Sequence, residues 1–399
     1  MSSIKEIIIK RSEELHGEVI KFRRDLHKQP ELSYREFRTA DYIRNWLIAN
    51  NISFRDNIAG TGIIGVLHGN GKGSGVIAVR AEMDALPVTE KNNTDYSSLN
   101  PGLMHACGHD AHMAILMGSA MLLKSVSEEF GGTVLLVFQP GEEKSPGGAK
   151  MMIEAGAFSE IKPDIIIGTH NLPELSAGKA GFKPGRYLAS CDEIYLTVKG
   201  TGGHAALPGL TTDQILIASK LVVRLKEKVS AAAAEKDIPT VLGIGKISGE
   251  GATNVIPEKV EIAGTFRTFD EKWRAEALEL VKKISLETAN EYGVEIIVRI
   301  AEGYPALIND EALTAKAAKL SEELLGIENV VFYETRLTSD DFSFYSALAP
   351  SLYYRTGMGK LKENGEIRKL HTAEFDIDED GLRTGVANMS WLIINFLTN

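Results

Sequence analysis

Between about residues 189 and 303 the chain runs strand, helix, strand, strand, helix, strand, and no other feature restricts its fold as much. EIYLTVKG, VLGIGKISG, KVEIAGTFRTF and VEIIVRIAEG read as strands. DQILIASKLVVRLKEKV and EKWRAEALELVKKISLETANEYG place their apolar residues at helical spacing. That order is the order of a ferredoxin-like α+β unit, and it fits compactly into this stretch.

The flanks read differently. Helical periodicity over about 4–28 and 35–49 gives way to apolar runs at 62–67, 75–83, 133–138 and 164–169. Between the second and third of these runs lies a helix, DAHMAILMGSAMLLKSV, with Asp110 expected as its N-cap. Strands alternating with helices predict an α/β domain with a mixed, mostly parallel sheet. After 303 the α/β character returns, with a helix near 310–325, short strands at NVVFYE and SLYYRTG, and a closing helix near 378–397. The expected domains are therefore 1–188 plus 304–399, and an inserted ferredoxin-like domain at 189–303. A chain of 399 residues exceeds the size at which single cores stop growing, which agrees with two domains.

Composition removes several classes. Apolar content of 44% and charged content of 25% are those of a globular protein. A net charge of -10 argues against a nucleic-acid partner, because neutralising phosphates needs clustered Lys and Arg. The charged N-terminal stretch lacks the apolar core of a secretory signal, and no run approaches the ~20 apolar residues that span a bilayer. The two cysteines, Cys107 and Cys191, make no disulfide framework. A cytoplasmic location without membrane or nucleic-acid partners is the expectation.

Ligand chemistry is concentrated in MHACGHDAH, residues 104–112, which holds three histidines, a cysteine and an aspartate. Glu142 and Glu143 follow the strand TVLLVF through QPGEE, and His170 is expected directly after the strand DIIIGT. Binding sites in open α/β sheets gather beyond the carboxyl ends of strands, so these three pieces are expected to converge. Each alone has a plainer explanation. A histidine at a strand end is more often a satisfied polar group, and paired glutamates usually form a solvated turn. Cys107 and His109, two positions apart in a glycine-containing loop, can face one point. A structural zinc site needs four closed ligands, commonly several cysteines, and Cys191 is far away in the sequence. GTGIIG at 60–65 matches a dinucleotide fingerprint, yet an extended run and a glycine-rich turn follow it where a helix is required. Neither a serine-hydrolase elbow nor a complete phosphate loop occurs.

RDLHKQPELSYREFRT, VRAEMDALP, MHACGHDAH, FQPGEE, GTH, GTGGHAALP, NVIP and HTAEF occur in that order between about residues 24 and 375. Together they closely resemble the amidohydrolase branch of the aminoacylase and glutamate-carboxypeptidase superfamily, which includes hydrolases of N-acyl amino acids, hippurate and auxin conjugates and deacetylases of N-acetyldiaminopimelate. The resemblance implies that Cys107, His109, Glu143, His170 and His371 hold two divalent cations, with Glu142 as general base. Zinc, manganese, cobalt and nickel all suit such a donor set. It further implies hydrolysis of the amide bond of a small N-acyl amino acid. In that chemistry metal coordination lowers the pKa of water from ~15.7 to about 7, and Glu142 carries the proton to the leaving amine.

The inserted domain, by the same resemblance, acts as a lid and dimerisation domain. His204 in GTGGHAALP resembles a histidine that reaches the partner subunit's active site and steadies the oxyanion, which implies a homodimer. Asn254 in NVIP and Arg267 in GTFRTF are candidates for the substrate's carbonyl or carboxylate, although Arg267 reads equally as a surface strand arginine. Where many relatives carry RADMDAL this chain has RAEMDAL, so Glu82 stands where a shorter aspartate orients a metal ligand, and Asp84 either compensates or caps the loop. His105 and His112 are expected to hydrogen-bond or pack rather than coordinate. Two other readings stay open: a dipeptidase or carboxypeptidase of the same superfamily, and a non-catalytic metal-binding protein on the same scaffold.

Overall fold

The computed structural model describes residues 3–398 of the chain. Helix α1 (Ile4–His27) and α2 (Phe37–Ala49) come first, followed by strands β1 (Ser53–Ile58), β2 (Gly62–His68) and β3 (Val76–Glu82). Next are α3 (His109–Ser125), β4 (Thr133–Gln139), α4 (Gly148–Glu154), β5 (Ile165–Ser176) and β6 (Ala180–Phe182). Then come β7 (Asp192–Lys199), α5 (Gln214–Glu235), β8 (Thr240–Ser248), β9 (Lys259–Thr268), α6 (Glu271–Tyr292) and β10 (Glu295–Glu302). The chain closes with α7 (Glu311–Leu325), β11 (Val330–Phe332), β12 (Ser351–Gly359) and α8 (Asp380–Thr398). No described helix is long and apolar enough to cross a membrane.

The chain divides into two compact units: residues 1–185, 308–334 and 341–399 form one, and 186–307 with 335–340 form the other. In the first, eight strands make one mixed sheet in the order β1-β2-β4-β3-β5-β12-β6-β11. The central pairs β4-β3, β3-β5 and β5-β12 are parallel, and antiparallel pairs β1-β2 and β2-β4 extend one side. Apolar runs such as VIAVRAE and TVLLVFQ are buried almost throughout, as expected of strands covered on both faces. Helix α3 is buried along nearly its whole length, and between its polar first turn and Lys124 its sequence is apolar on nearly every side. In the second unit four antiparallel strands lie in the order β8-β9-β7-β10, with the element order expected of a ferredoxin-like fold. Ile194, Leu196 and Val198 of β7 alternate inward onto Leu221 and Leu225 of α5 and Val281 and Ile284 of α6.

Side chains start several helices. Ser3 caps α1 with Glu6 in a reciprocal capping box. Asp213, Asp270 and Asp310 accept from the first-turn amides of α5, α6 and α7. Two expectations need correction here. The N-cap of α3 is Gly108 at φ 88°, and Asp110 lies in the first turn with its carboxylate turned to Arg23 and His27. The strand expected to stop before His170 continues to Ser176, because its ladder with β12 runs on through His170, Asn171 and Leu172. The GTGIIG stretch forms the hairpin between β1 and β2, with Gly60 at φ 101°, consistent with its rejection as a nucleotide loop.

Candidate metal centre

The loop that precedes α3 brings Cys107 and His109 to the carboxyl ends of β3 and β4. Gly108 makes this possible: at φ 88° a side chain is strained, and a Cβ there would lie 1.9 Å from Asn171 Nδ2. Asn171 is itself fully buried. A Gly108→Ala variant is therefore expected to lose at least roughly 1–2 kcal/mol from the left-handed backbone alone, read as a lower unfolding midpoint. An unchanged midpoint would show that the loop has room the structure denies it.

Around this loop the expected donors meet. Cys107 Sγ lies 3.4 Å from His170 Nε2 and 3.3 Å from His371 Nε2. His371 Nε2 lies 3.3 Å from Glu143 Oε1. Donors at tetrahedral zinc distances sit about 3.5 Å apart, so these separations suit ligands that share an ion. Three overlapping sets have donor atoms all within 4.8 Å of one another: Cys107, His109 and His170; Cys107, Glu143 and His371; His109, Glu142 and Glu143. Cys107, His109 and Glu143 each belong to two sets, an arrangement that fits a pair of cations better than one.

Hydrogen bonds on the far side of the rings settle which nitrogens are available. His109 Nδ1 donates to Asp84 O at 2.8 Å, which leaves its buried Nε2 without a hydrogen-bond partner. His170 Nδ1 donates to Asn171 O at 2.7 Å and turns Nε2 to Cys107. His112 differs, since Nε2 accepts the Asn171 amide at 2.9 Å and Nδ1 donates to Glu82 Oε2 at 2.8 Å. Both of its nitrogens are used, so the nearby grouping of Glu82, His109 and His112 is a hydrogen-bonded set rather than a further ion site. His112 takes the hydrogen-bonding role expected of it, while the buried His105 ring packs beside His27.

The Glu82 question is answered by the same contacts. Its longer side chain reaches His112 and pairs with buried Arg80, which also binds Gln139 and Asp341. Asp84 is the acid that touches the donors. Its carbonyl holds His109, and its Oδ2 accepts the Glu143 amide at 3.0 Å and the Ser33 hydroxyl at 2.6 Å. The sequence does not separate the two roles open to Asp84, because a backbone carbonyl contact carries no side-chain signature.

The electrostatics ask for positive charge. Burial, then the charges of Glu143, Glu142 and Glu82, push the Cys107 thiol well above its ordinary range. Burial opposes charge on His109, but the hydrogen bond to Asp84 and the charges of Glu82, Asp84 and Glu143 outweigh it and lift the imidazolium to about 10. His170 is pushed well down by burial, with His112 and Arg355 adding to the effect. A site that crowds carboxylates around a thiol is stabilised by divalent cations, which invert this local balance. The residues present fit such ions: a buried unpartnered imidazole nitrogen, a thiol, carboxylates and two further imidazoles.

The other expected residues lie in the second unit. His204 is exposed on a two-residue strand paired with Val255–Ile256, and its Nδ1 accepts the Ala206 amide at 3.1 Å. Asn254 adjoins the same ribbon and accepts the Ala205 amide through its carbonyl at 2.9 Å. Arg267 stands on β9 and donates to Leu337 O at 2.9 Å and Ser339 Oγ at 3.4 Å. The ribbon thus brings His204 and Asn254 together, while Arg267 is tied to the segment 335–340.

Comparison with known proteins adds three kinds of likeness. Peptidase family M20/M25/M40 matches residues 78–395. An IAA-amino acid hydrolase of Arabidopsis thaliana is 37% identical over 92% of this chain and 83% of its own length. Thermostable carboxypeptidase 2 of Saccharolobus solfataricus is 34% identical over 96% of both chains. Among solved structures, a Bacillus subtilis protein described as a dinuclear metal binding peptidase from the M20 family aligns with a TM-score of 0.82 and 32% identity, covering 96% of this chain and 99% of its own.

Proposed function

Because the chain belongs to the amidohydrolase branch of peptidase family M20/M25/M40, we propose that it is a metal-dependent amidohydrolase that cleaves the amide bond of N-acyl amino acids. The observation that carries this reading is the meeting of Cys107, His109, Glu143, His170 and His371 with Glu142 beside them. Those five residues would hold two divalent cations, as the Bacillus subtilis relative's description indicates for that protein. When bound, the cations supply the positive charge that acidifies water near neutral pH and polarises the carbonyl.

Glu142 and Glu143 divide the work. Glu143 is engaged with His371 and Cys107, while Glu142, buried beside them, takes the proton from the attacking water. The water oxygen then bonds to the carbonyl carbon. As the C–N bond breaks, Glu142 returns its proton to the leaving nitrogen, so one proton moves from water to amine. Asp84 keeps His109 in the tautomer that leaves Nε2 free. His204 is assigned to the developing oxyanion in the partner subunit's active site, where losing one donor costs about 3–4 kcal/mol, and Asn254 and Arg267 to the substrate's carbonyl and carboxylate. We assign a homodimer through the second unit, whose edge strand β8 is open and where Val223 on α5 and Ile247 on β8 are exposed.

The carboxypeptidase relative favours a second reading, cleavage of peptides at the C-terminal residue. A panel of N-acetyl and N-benzoyl amino acids, set against dipeptides and blocked peptides, separates the two on metal-reconstituted protein. The proposed function predicts kcat/KM for the best acyl-amino acid at least ~10-fold above that for any dipeptide. A higher value for dipeptides would favour the second reading.

A further inference from the structure

We infer that Arg23 is a positioning residue for the metal centre: its buried guanidinium joins the helix that carries His109 to the segment that carries His371, and so sets the affinity of the cation position that uses His371. The inference rests on the proposed two-cation reading.

Arg23 is fully buried in α1 and directs three nitrogens at three carboxylates. Nε donates to Asp110 Oδ2 at 2.8 Å, Nη2 to Asp376 Oδ1 at 3.0 Å, and Nη1 to Glu379 Oε1 at 3.3 Å. Asp110 directly follows His109, and Asp376 lies shortly after His371. The guanidinium is therefore a joint between α1, the first turn of α3 and the stretch beyond His371. Its planar fork meets partners in fixed directions, which a lysine ammonium does not reproduce.

His371 depends on outside support more than the other histidines do. His109 and His170 are buried, and each has its Nδ1 fixed by a backbone carbonyl. The His371 side chain is 54% exposed, and its backbone sits at φ 59°, where residues other than glycine are strained. Its place is set by the chain that follows it. The His371 amide donates to Ala106 O, Lys91 N donates to Ala373 O, and Asn92 Nδ2 donates to Phe375 O, each at 2.8 Å. Asp376 then ties the stretch to α1 through Arg23, and it also accepts the Tyr96 hydroxyl and pairs with Lys360.

Removing Arg23 has unequal consequences. Asp110 keeps His27, whose Nδ1 lies 2.8 Å from the same oxygen, and Glu379 keeps Arg24. Asp376 loses its tie to α1. The set of Cys107, His109 and His170 keeps all its braces, whereas the set of Cys107, Glu143 and His371 loses the one that runs to α1 and keeps those to Ala106, Lys91 and Asn92.

The test titrates the metal-free, full-length protein with zinc against a competing chelator, with circular dichroism and unfolding midpoints as controls for folding. Wild type is expected to take up two zinc ions. Asp376→Asn, which can still accept the Tyr96 hydroxyl, should weaken one step by roughly 10–100-fold and leave the other unchanged. Arg23→Lys, which keeps the charge and loses the fork, should show the same one-sided loss. Wild-type affinity at both steps in a folded Asp376→Asn, an equal loss of both steps, or full rescue by Arg23→Lys would overturn the inference. If wild type itself takes up fewer than two ions, the two-cation reading fails and takes the inference with it, a result visible before any variant is made.

Discussion

A Glu142→Gln variant should bind metal ions as wild type does and hydrolyse an N-acyl amino acid with kcat lower by roughly 10²–10⁴-fold. The substitution preserves the volume of a buried side chain and removes only its capacity to accept a proton. Although Glu142 also lies within reach of His109, Glu143 supplies the carboxylate beside Cys107 and His371, so metal content should stay at the wild-type level. The two readouts make the result interpretable. Loss of activity together with loss of metal would make Glu142 a ligand, and full activity with full metal would remove it from the mechanism.

Stripping the ions with a chelator should abolish hydrolysis and lower the unfolding midpoint, and both should return when a divalent transition metal is added back. Without cations the first unit buries Glu82, Asp84 and Glu142 beside a thiol that burial already opposes ionising. A ligand present at a thousand times its dissociation constant contributes about 4 kcal/mol to the folded state. For a unit of this size that corresponds to a shift on the order of 10 °C. Scanning calorimetry of the metal-free and reconstituted forms checks it. Equal midpoints would mean that the centre is held in shape by protein contacts alone.

The parts of the fold legible in the sequence are those written in local periodicity. Buried strands such as TVLLVFQ, the long apolar α3, and the β-α-β-β-α-β order of the second unit all follow from the spacing of apolar residues. Convergence of Cys107, His109, Glu142, Glu143 and His170 was legible through motifs set near strand ends, and that of His371 only through the family resemblance. What stayed hidden lies in contacts between distant positions. Arg23 meets Asp110 across 87 positions and Asp376 across 353, and no spacing rule reaches that far. Asp110 misled for a related reason: an aspartate before an apolar helical run usually caps it, but here Gly108 takes the turn and a buried arginine claims the carboxylate. The strand runs past His170, beyond where periodicity ends it, because the ladder with β12 pairs polar residues that periodicity reads as loop. Asp84 works partly through its backbone oxygen, which any residue would present.

The most direct test of the account is the metal content of the reconstituted protein, measured by elemental analysis after dialysis against metal-free buffer, beside a Cys107→Ala variant. The account predicts close to two ions per wild-type chain and a clear deficit in the variant, since Cys107 Sγ lies within 3.4 Å of both His170 and His371. Wild-type protein that retains no transition metal, or a variant that retains as much as wild type, would contradict it.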